Sequence, residues 1–247
     1  NARTEGEVNQ VRPIMLTPRL LALSRQVPRG ARFADVGTDH ARLPVWLLEQ
    51  GVIEQAIATD LREGPLQRAR QTAARHGLTE RISFRLGDGL APVRPEEADV
   101  IAIAGMGGET IASILETAAW TREGEHTFLL QPMTSVPDLR LWLAGHGFSI
   151  QREELIREGE TLYHTMQARP GPMSALSPGE AWAGRQYRGM DSPWRTEYLT
   201  LLLNRTSRAL EGLRRSTKPG DAGRLEELTE RYADLARMKE EWDKWQR

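Results

Sequence analysis

From Ala31 to Arg169 the sequence alternates short apolar runs with longer stretches in which apolar residues recur every three or four positions. That alternation predicts a parallel sheet covered by helices, an α/β fold. Strands are predicted at Ala31–Val36, Gln55–Asp60, Ile82–Leu86, Asp99–Ala104 and Thr127–Gln131, each short and closed by Gly, Asp or Pro. The longer stretches between them predict helices over Leu43–Gln50, Gly64–His76, Glu109–Thr117 and Val136–His146. The last unit breaks the alternation. Phe148–Ile156 and Leu162–Ala168 are separated only by a short turn around Gly159, a hairpin spacing, so the last strand is predicted to be antiparallel.

Residues 169–193 are rich in Pro, Gly and Ser and read as a linker. Beyond them Leu199, Leu202, Thr206, Ala209 and Leu213 fall at alternating spacings of three and four. Leu225, Leu228, Tyr232 and Leu235 do the same, with Trp242 one heptad further on. Two helices are implied, interrupted at Pro219 and Gly220, with Asp221 placed to cap the second. The chain should turn back into an antiparallel helical hairpin whose arms, at roughly 25 residues each and 1.5 Å per residue, reach almost 40 Å. Such an arm suits dimerisation as a coiled coil as well as it suits binding of a substrate. The predicted division is a 16–170 sheet domain and a 171–247 linker and helical domain.

Composition narrows the chemistry. The chain has 247 residues and no cysteine, which removes disulfides and thiolate metal sites, and its five histidines form no ligand-spaced pair. No metal is expected. No apolar run approaches the length of a membrane span, and the first 15 residues hold no signal-peptide core. A soluble, cytoplasmic protein is the expectation, with the first dozen residues as a flexible tail. Net charge is −1 but unevenly spread. Residues 1–30 carry five Arg against two Glu, and 174–220 carry seven Arg and one Lys against four acids. Between them, 31–173 carry 14 Arg against 20 acids. Basic ends suit a polyanion and an acidic middle suits a cation, although charge runs also serve as plain solvated faces. Arginine supplies 30 of the 33 basic residues, so its abundance alone says little.

The candidate chemistry begins at FADVGTDHARLP, Phe33–Pro44. A predicted strand runs into Gly37, which keeps no side chain between backbone and ligand, and acids flank it at Asp35 and Asp39. A dinucleotide site would need several glycines and a free helix N-terminus against a diphosphate. A single glycine between two carboxylates repels phosphate and suits a cation such as S-adenosyl-L-methionine, with its sulfonium and ammonium. Three further strand ends repeat the theme, at the carboxyl edge where open α/β sheets bind ligands. There Asp35 and Gly37 would line the methionine part of the cofactor. In ATDL, Asp60 would accept from both ribose hydroxyls, with Leu61 beside it. In LGDGL, Asp88 would accept from the adenine amine, with Gly87 and Gly89 permitting close approach. In IAGMGG, Ala104, Gly105 and Met106 would border the cofactor, and Gly107 and Gly108 the substrate. Asp and Gly at strand ends also make ordinary turns; the weight lies in all four occurring in order.

Together, FADVGTDHARLP, TDLREGPLQRA, RLGDGL, IAGMGGETIASIL, LLQP and the late ETLYH resemble the bacterial tRNA adenine(22)-N1 methyltransferases, from about Leu16 to the C-terminus. The resemblance implies a Rossmann-like class I methyltransferase sheet followed by a C-terminal coiled coil, and a target adenine in the D-arm region of tRNA. Two positions depart from the family pattern: Arg42 where Tyr is usual after D-H-A, and Met133 where Asn commonly follows LLQP.

Adenine N1 carries a free lone pair, so transfer to it needs alignment rather than deprotonation. A carboxylate at the N6 amino group would raise the nucleophilicity of N1 and stabilise the developing positive charge. Asp39 is the candidate catalytic residue; capping of the following helix is its structural alternative. His40 is placed for the cofactor or for a neighbouring carboxylate, and Tyr163 for stacking on a base or for the core. Base pairing hides N1 in tRNA, so the adenine must be unstacked, and phosphate contacts must offset that cost. Arg19, Arg25, Arg42, Arg185, Arg188, Arg195, Arg205 and Arg208 are the candidate RNA contacts, in a monomer or a weak dimer through the helical hairpin. Two other functions fit parts of the pattern: a class I methyltransferase with a different substrate, and a non-catalytic RNA-binding protein with a vestigial pocket.

Overall fold

The structure, a computed structural model, describes residues 11–216 and 218–247. Most of the segment predicted as a tail lies outside them. The chain gathers into two compact units, one through Ile101 and one from Ala102 onward.

The first unit holds α1 (Pro18–Ser24), β1 (Phe33–Val36), α2 (Arg42–Glu49), β2 (Ala56–Asp60), α3 (Glu63–Arg75) and β3 (Ile82–Leu86). Every residue of β1 and β2 is buried, as expected of strands with both faces covered. In β3 burial is partial and Leu86 is exposed, because this strand forms the edge of the sheet. α3 buries Leu66, Ala69, Thr72 and Ala73, one face at helical spacing, and tolerates Pro65 because it lies in the first turn. Short α1 was not predicted; it is held by Ala22 and Leu23, both buried.

The second unit begins within β4 (Val100–Met106) and continues through α4 (Gly108–Thr117), β5 (Thr127–Pro132), α5 (Val136–Gly145), β6 (Phe148–Glu158) and β7 (Thr161–Pro170). It ends in α6 (Pro178–Ala183), α7 (Arg195–Arg214) and α8 (Asp221–Trp245). Among the described residues the seven strands are ordered β3-β2-β1-β4-β5-β7-β6. β1, β2 and β3 pair in parallel, and β7 runs antiparallel to both β5 and β6. The final strand is thus the antiparallel one, as its hairpin spacing implied. It is inserted between β5 and β6, with a bulge between Ile150 and Arg152.

Two readings of the C-terminal region are corrected. The linker contains α6, begun by a capping box in which the Ser177 hydroxyl accepts from the Glu180 N–H and the Glu180 carboxylate accepts from the Ser177 N–H. Gly220, at φ 91°, rather than Asp221, precedes α8 as its cap. Asp221 is the first helical residue, where its charge complements the helix dipole, and it accepts the Ser216 hydroxyl proton. The arms are unequal, with 20 residues in α7 and 25 in α8. Ala183, Leu199, Leu202, Leu235, Met238 and Trp242 form one buried cluster at the base of the hairpin. Leu225 and Leu228, nearer its tip, are only half-buried.

Candidate active site

Because β1, β2 and β3 are parallel and in register, Gly37, Leu61 and Gly87 leave the sheet at the same edge. The Thr38 N–H donates to the Thr59 carbonyl (2.9 Å), and the Gly87 N–H to the Asp60 carbonyl (3.0 Å), which bind the three strand ends together. Asp35 is buried, and its Oδ2 accepts from the Thr38 hydroxyl at 2.7 Å. Burial pushes the Asp35 carboxyl up to about 7; the Thr38 hydrogen bond opposes the rise, and the charge of Asp60 adds to it. Asp60, also buried, accepts the Asp39 N–H at Oδ2 (3.3 Å) and the Arg62 N–H at Oδ1 (3.1 Å). A carboxylate has about four acceptor positions, so each oxygen keeps one for a ligand.

These residues fit S-adenosyl-L-methionine. Asp35 is a buried carboxyl whose ionisation a bound cation would favour, and Asp60 has acceptor capacity matching two hydroxyls. Gly37, at φ 70°, and Gly89, at φ 51°, hold turns that a side chain would strain. Gly87 is explained by packing instead, since a Cβ there would lie 2.9 Å from the Pro92 ring. Asp88 and Leu61 are exposed beside them.

The turn between β1 and α2 is strained. Asp39 (φ 50°) and Ala41 (φ 51°) both adopt left-handed backbone, which costs a non-glycine residue about 1 kcal/mol or more. Ala41, with no side-chain bond, is the cap of α2, so Asp39 does not cap the helix. Its exposed carboxylate instead pairs with Arg68 of α3 at 2.7 Å, and lies 3.6 Å from His40 Nε2. Arg42, exposed, opens α2.

A cavity of about 560 Å³ lies at the opposite, amino-terminal ends of β1–β3. Its arginines are already engaged: Arg32 pairs with Asp99, Arg85 with Glu97, and Arg81 donates to the Glu54 carbonyl.

In the second unit, the end of β4 and the start of α4 are laced to the end of β5 and the residues that follow it. The Gly105 N–H donates to Gln131 Oε1 (3.2 Å), the Met133 N–H to the Met106 carbonyl (2.7 Å) and the Gly108 N–H to the Thr134 carbonyl (2.9 Å). Gly105, at φ 75°, faces open space. Gly108 does not open space for a base: a Cβ there would stand 2.5 Å from the Ser135 carbonyl oxygen, so its role is close packing. Gly107 is crowded by the Thr134 hydroxyl at 3.0 Å from the same hypothetical atom. Ala104 and Met106 are half-buried.

A buried charged group ties β6 and β7 to the helices of this unit. Arg140 of α5, fully buried, donates from Nε to Glu153 at 2.9 Å and from Nη1 to the carbonyls of Ala181 (2.8 Å) and Trp182 (2.9 Å), at the end of α6. Burial would raise the Glu153 carboxyl, but the Arg140 charge and the His164 hydrogen bond overcome it and hold the group at about 2. Burial pushes the His164 imidazole down, with Arg140 adding to the fall. The His164 ring meets Tyr198 edge-on at 4.9 Å.

The candidate RNA contacts divide. Arg195 is buried and donates to the Gly184 carbonyl (2.8 Å), the Ala183 carbonyl and Gln186 Oε1 (3.2 Å), so it braces the chain and is not free to meet a phosphate. Arg185 donates to the Ser174 carbonyl at 2.7 Å. Arg25, Arg188, Arg205 and Arg208 are exposed, and Arg19 and Tyr163 are half-buried. Thr38, Arg68 and Gln131 are parts of these sites that sequence reasoning missed. Gln131 had a signal, as a polar residue closing the buried run of LLQP; Arg68 had none.

The family model described as "Methyltransferase domain" matches residues 16–166. The chain is 35% identical over 166 residues to the tRNA (adenine(22)-N(1))-methyltransferase of Bacillus subtilis, covering 67% of this chain and 70% of that protein. The crystal structure of the B. subtilis m1A22 tRNA methyltransferase TrmK superposes with a TM-score of 0.81 at 29% identity, over 92% of this chain and 99% of that one. The structure of M. capricolum TrmK with the cofactor product S-adenosyl-homocysteine superposes with a TM-score of 0.76 at 27% identity, over 92% and 98% of the two chains. With the parallel strands, the acidic strand ends and the antiparallel last strand, these likenesses place the chain in the methyltransferase domain family and, within it, among the tRNA (adenine(22)-N(1))-methyltransferases.

Proposed function

We propose that this protein transfers a methyl group from S-adenosyl-L-methionine to N1 of an adenine in the D-arm region of tRNA, position 22, forming 1-methyladenosine. The observation that carries the reading is the buried Asp35 carboxyl at the end of β1, beside Asp60, in a chain 35% identical to an enzyme of that name. Bound there, the cofactor supplies an electrophilic methyl group. Asp35 and Gly37 hold its methionine end, Asp60 with Leu61 its ribose, and Asp88 with Gly87 and Gly89 its adenine; His40, Ala104, Gly105 and Met106 are assigned to it from their place at the ends of the first and fourth strands. Asp39 orients the acceptor adenine through the N6 amino group and stabilises the charge that develops on the ring. Since Asp39 is paired with Arg68, the base must share or displace that partner. Substrate contacts are assigned to Arg19, Arg25, Arg42, Gly107, Tyr163, Arg185, Arg188, Arg205 and Arg208.

The chain divides near residue 170, with the cofactor-binding domain over 16–170, which also receives the target adenine, and a helical domain over 171–247 that adds further RNA contacts, in a cytoplasmic protein. No helix among the described residues is long and apolar enough to cross a membrane. The working unit is a monomer or a weak dimer through the hairpin, to be decided by sedimentation with and without tRNA. The central test is incubation with methyl-labelled cofactor and unmodified tRNA, followed by nucleoside analysis. Labelled 1-methyladenosine, lost when adenine 22 of the transcript is replaced by guanine, is the expected result. Label in another nucleoside, or none, rejects the proposal. Asp39→Ala should lose transfer while binding S-adenosylhomocysteine normally; full transfer would remove Asp39 from the mechanism.

A further inference from the structure

The connection between α6 and α7 presents an aromatic ring to water. Tyr187 is 63% exposed, the following Arg188 is exposed too, and no hydrogen bond or ring contact of either side chain occurs among the described residues. Single exposed aromatics are common on protein surfaces, but this one is displayed on a braced turn. The Met190 N–H donates to the Tyr187 carbonyl at 3.2 Å, and Gly189 takes φ 86° at the third position, the backbone of a type II turn. Before the turn, Gln186 is clamped twice: its Nε2 donates to the Met238 carbonyl (2.8 Å), and its Oε1 accepts from buried Arg195 (3.2 Å). After the turn, Met190 packs on the cluster at the base of the hairpin. The turn is therefore fixed at both ends while the side chains of its first two residues, Tyr187 and Arg188, remain unengaged.

We propose that Tyr187 and Arg188 form a contact for unpaired RNA, the Tyr187 ring stacking on a splayed base and Arg188 meeting the adjoining phosphate. A ring held on a rigid turn loses little freedom on binding, and every base offers a face to stack on. The charge of this stretch of chain suits the same partner. Residues 174–220 carry seven Arg and one Lys against four acids; Arg195 and Arg185 are engaged within the protein, while Arg205 and Arg208, one turn apart on one side of α7, are exposed. The inference rests on the tRNA reading above, and names where outside the cofactor-binding segments the RNA is gripped.

The test compares Tyr187→Ala, Tyr187→Phe and Arg188→Ala with the unaltered protein in binding to an unmodified tRNA transcript over a series of salt concentrations. S-adenosylhomocysteine affinity and thermal stability report that each variant is folded. Tyr187→Ala should bind tRNA roughly tenfold more weakly with an unchanged salt slope, because stacking releases no counterions. Tyr187→Phe should bind as the unaltered protein does. Arg188→Ala should reduce the slope of log K against log salt by about 0.7–0.9, the value of one phosphate contact. Tyr187→Ala binding as tightly as the unaltered protein, or Tyr187→Phe failing as badly as Tyr187→Ala, overturns the proposal. If the unaltered protein itself neither binds nor methylates tRNA, the tRNA reading fails first; if it does both, the Tyr187 result bears on this contact alone.

Discussion

Replacing Asp35 by Asn should make the protein more stable and less able to hold its cofactor. The Asp35 carboxyl is pushed by burial from 3.8 to about 7 in the folded chain. Its unfolded value is the ordinary one, so between pH 4 and pH 7 the folded state holds a proton that the unfolded state has released. Stability then falls as pH rises across that window, and flattens above about 7. Three pH units at 1.36 kcal/mol each give about 4 kcal/mol of strain from ionised Asp35 at pH 8, as an upper figure. Asparagine carries no charge and its amide oxygen can still accept the Thr38 hydroxyl proton, so Asp35→Asn removes the pH-dependent part and little else. A bound cation has the opposite effect on the native carboxyl, favouring its ionised form. Cofactor affinity should therefore rise with pH up to about 7 in the native protein, and be weak and flat in the variant. Urea unfolding at pH 5 and pH 8, with titration calorimetry at the same values, measures both effects. An Asp35→Asn variant that gains no stability at pH 8 relative to pH 5, or that binds cofactor as tightly as the native protein, would refute the reasoning.

Other expectations follow from the same geometry. Glu153→Gln strips the buried Arg140 guanidinium of its counter-ion and should cost about 3–5 kcal/mol in urea unfolding. Because Glu153 sits at about 2 when folded against an ordinary 4.5, its stabilisation is complete above pH 4.5 and is lost as pH falls toward 2. An acid unfolding curve that is the same in Glu153→Gln as in the native protein would contradict this. Gly108→Ala drives a Cβ to 2.5 Å from a backbone carbonyl and should cost about 3 kcal/mol, the upper end for overpacking, whereas Gly105→Ala meets no atom and should cost less, only the left-handed strain of about 1–2 kcal/mol. Thermal melts of the two variants side by side would reverse this order if the packing account of Gly108 were wrong.

The sheet was legible because its strands are short, apolar and punctuated. Predicted β3 matches Ile82–Leu86 at both ends, and the other strands agree within a few residues, since Gly, Asp and Pro mark where they stop. The hairpin at Gly159 was legible for the same reason. Helix α6 was not, although Ser177 and Glu180 spell a capping box, because the surrounding Pro and Gly gave the stronger signal. Within the heptad-like C-terminal pattern, the repeat located both helices but not their depth. Leu199 and Leu235 are buried while Leu225 and Leu228 are not, since α6 covers only the base of the hairpin.

The sequence by itself determined the class of fold, the acidic strand ends and the family, because these depend on residue type and local spacing. Tertiary structure decided what those residues do there. Nothing local says that Asp35 is buried beside Asp60, that Asp39 pairs with Arg68 instead of capping α2, or that Arg195 faces inward while Arg188 faces water. Nor does spacing say that β7 slips between β5 and β6. A carboxylate's charge state, a cation's partner and a glycine's purpose are set by neighbours distant in the chain, and only folding brings those neighbours within reach.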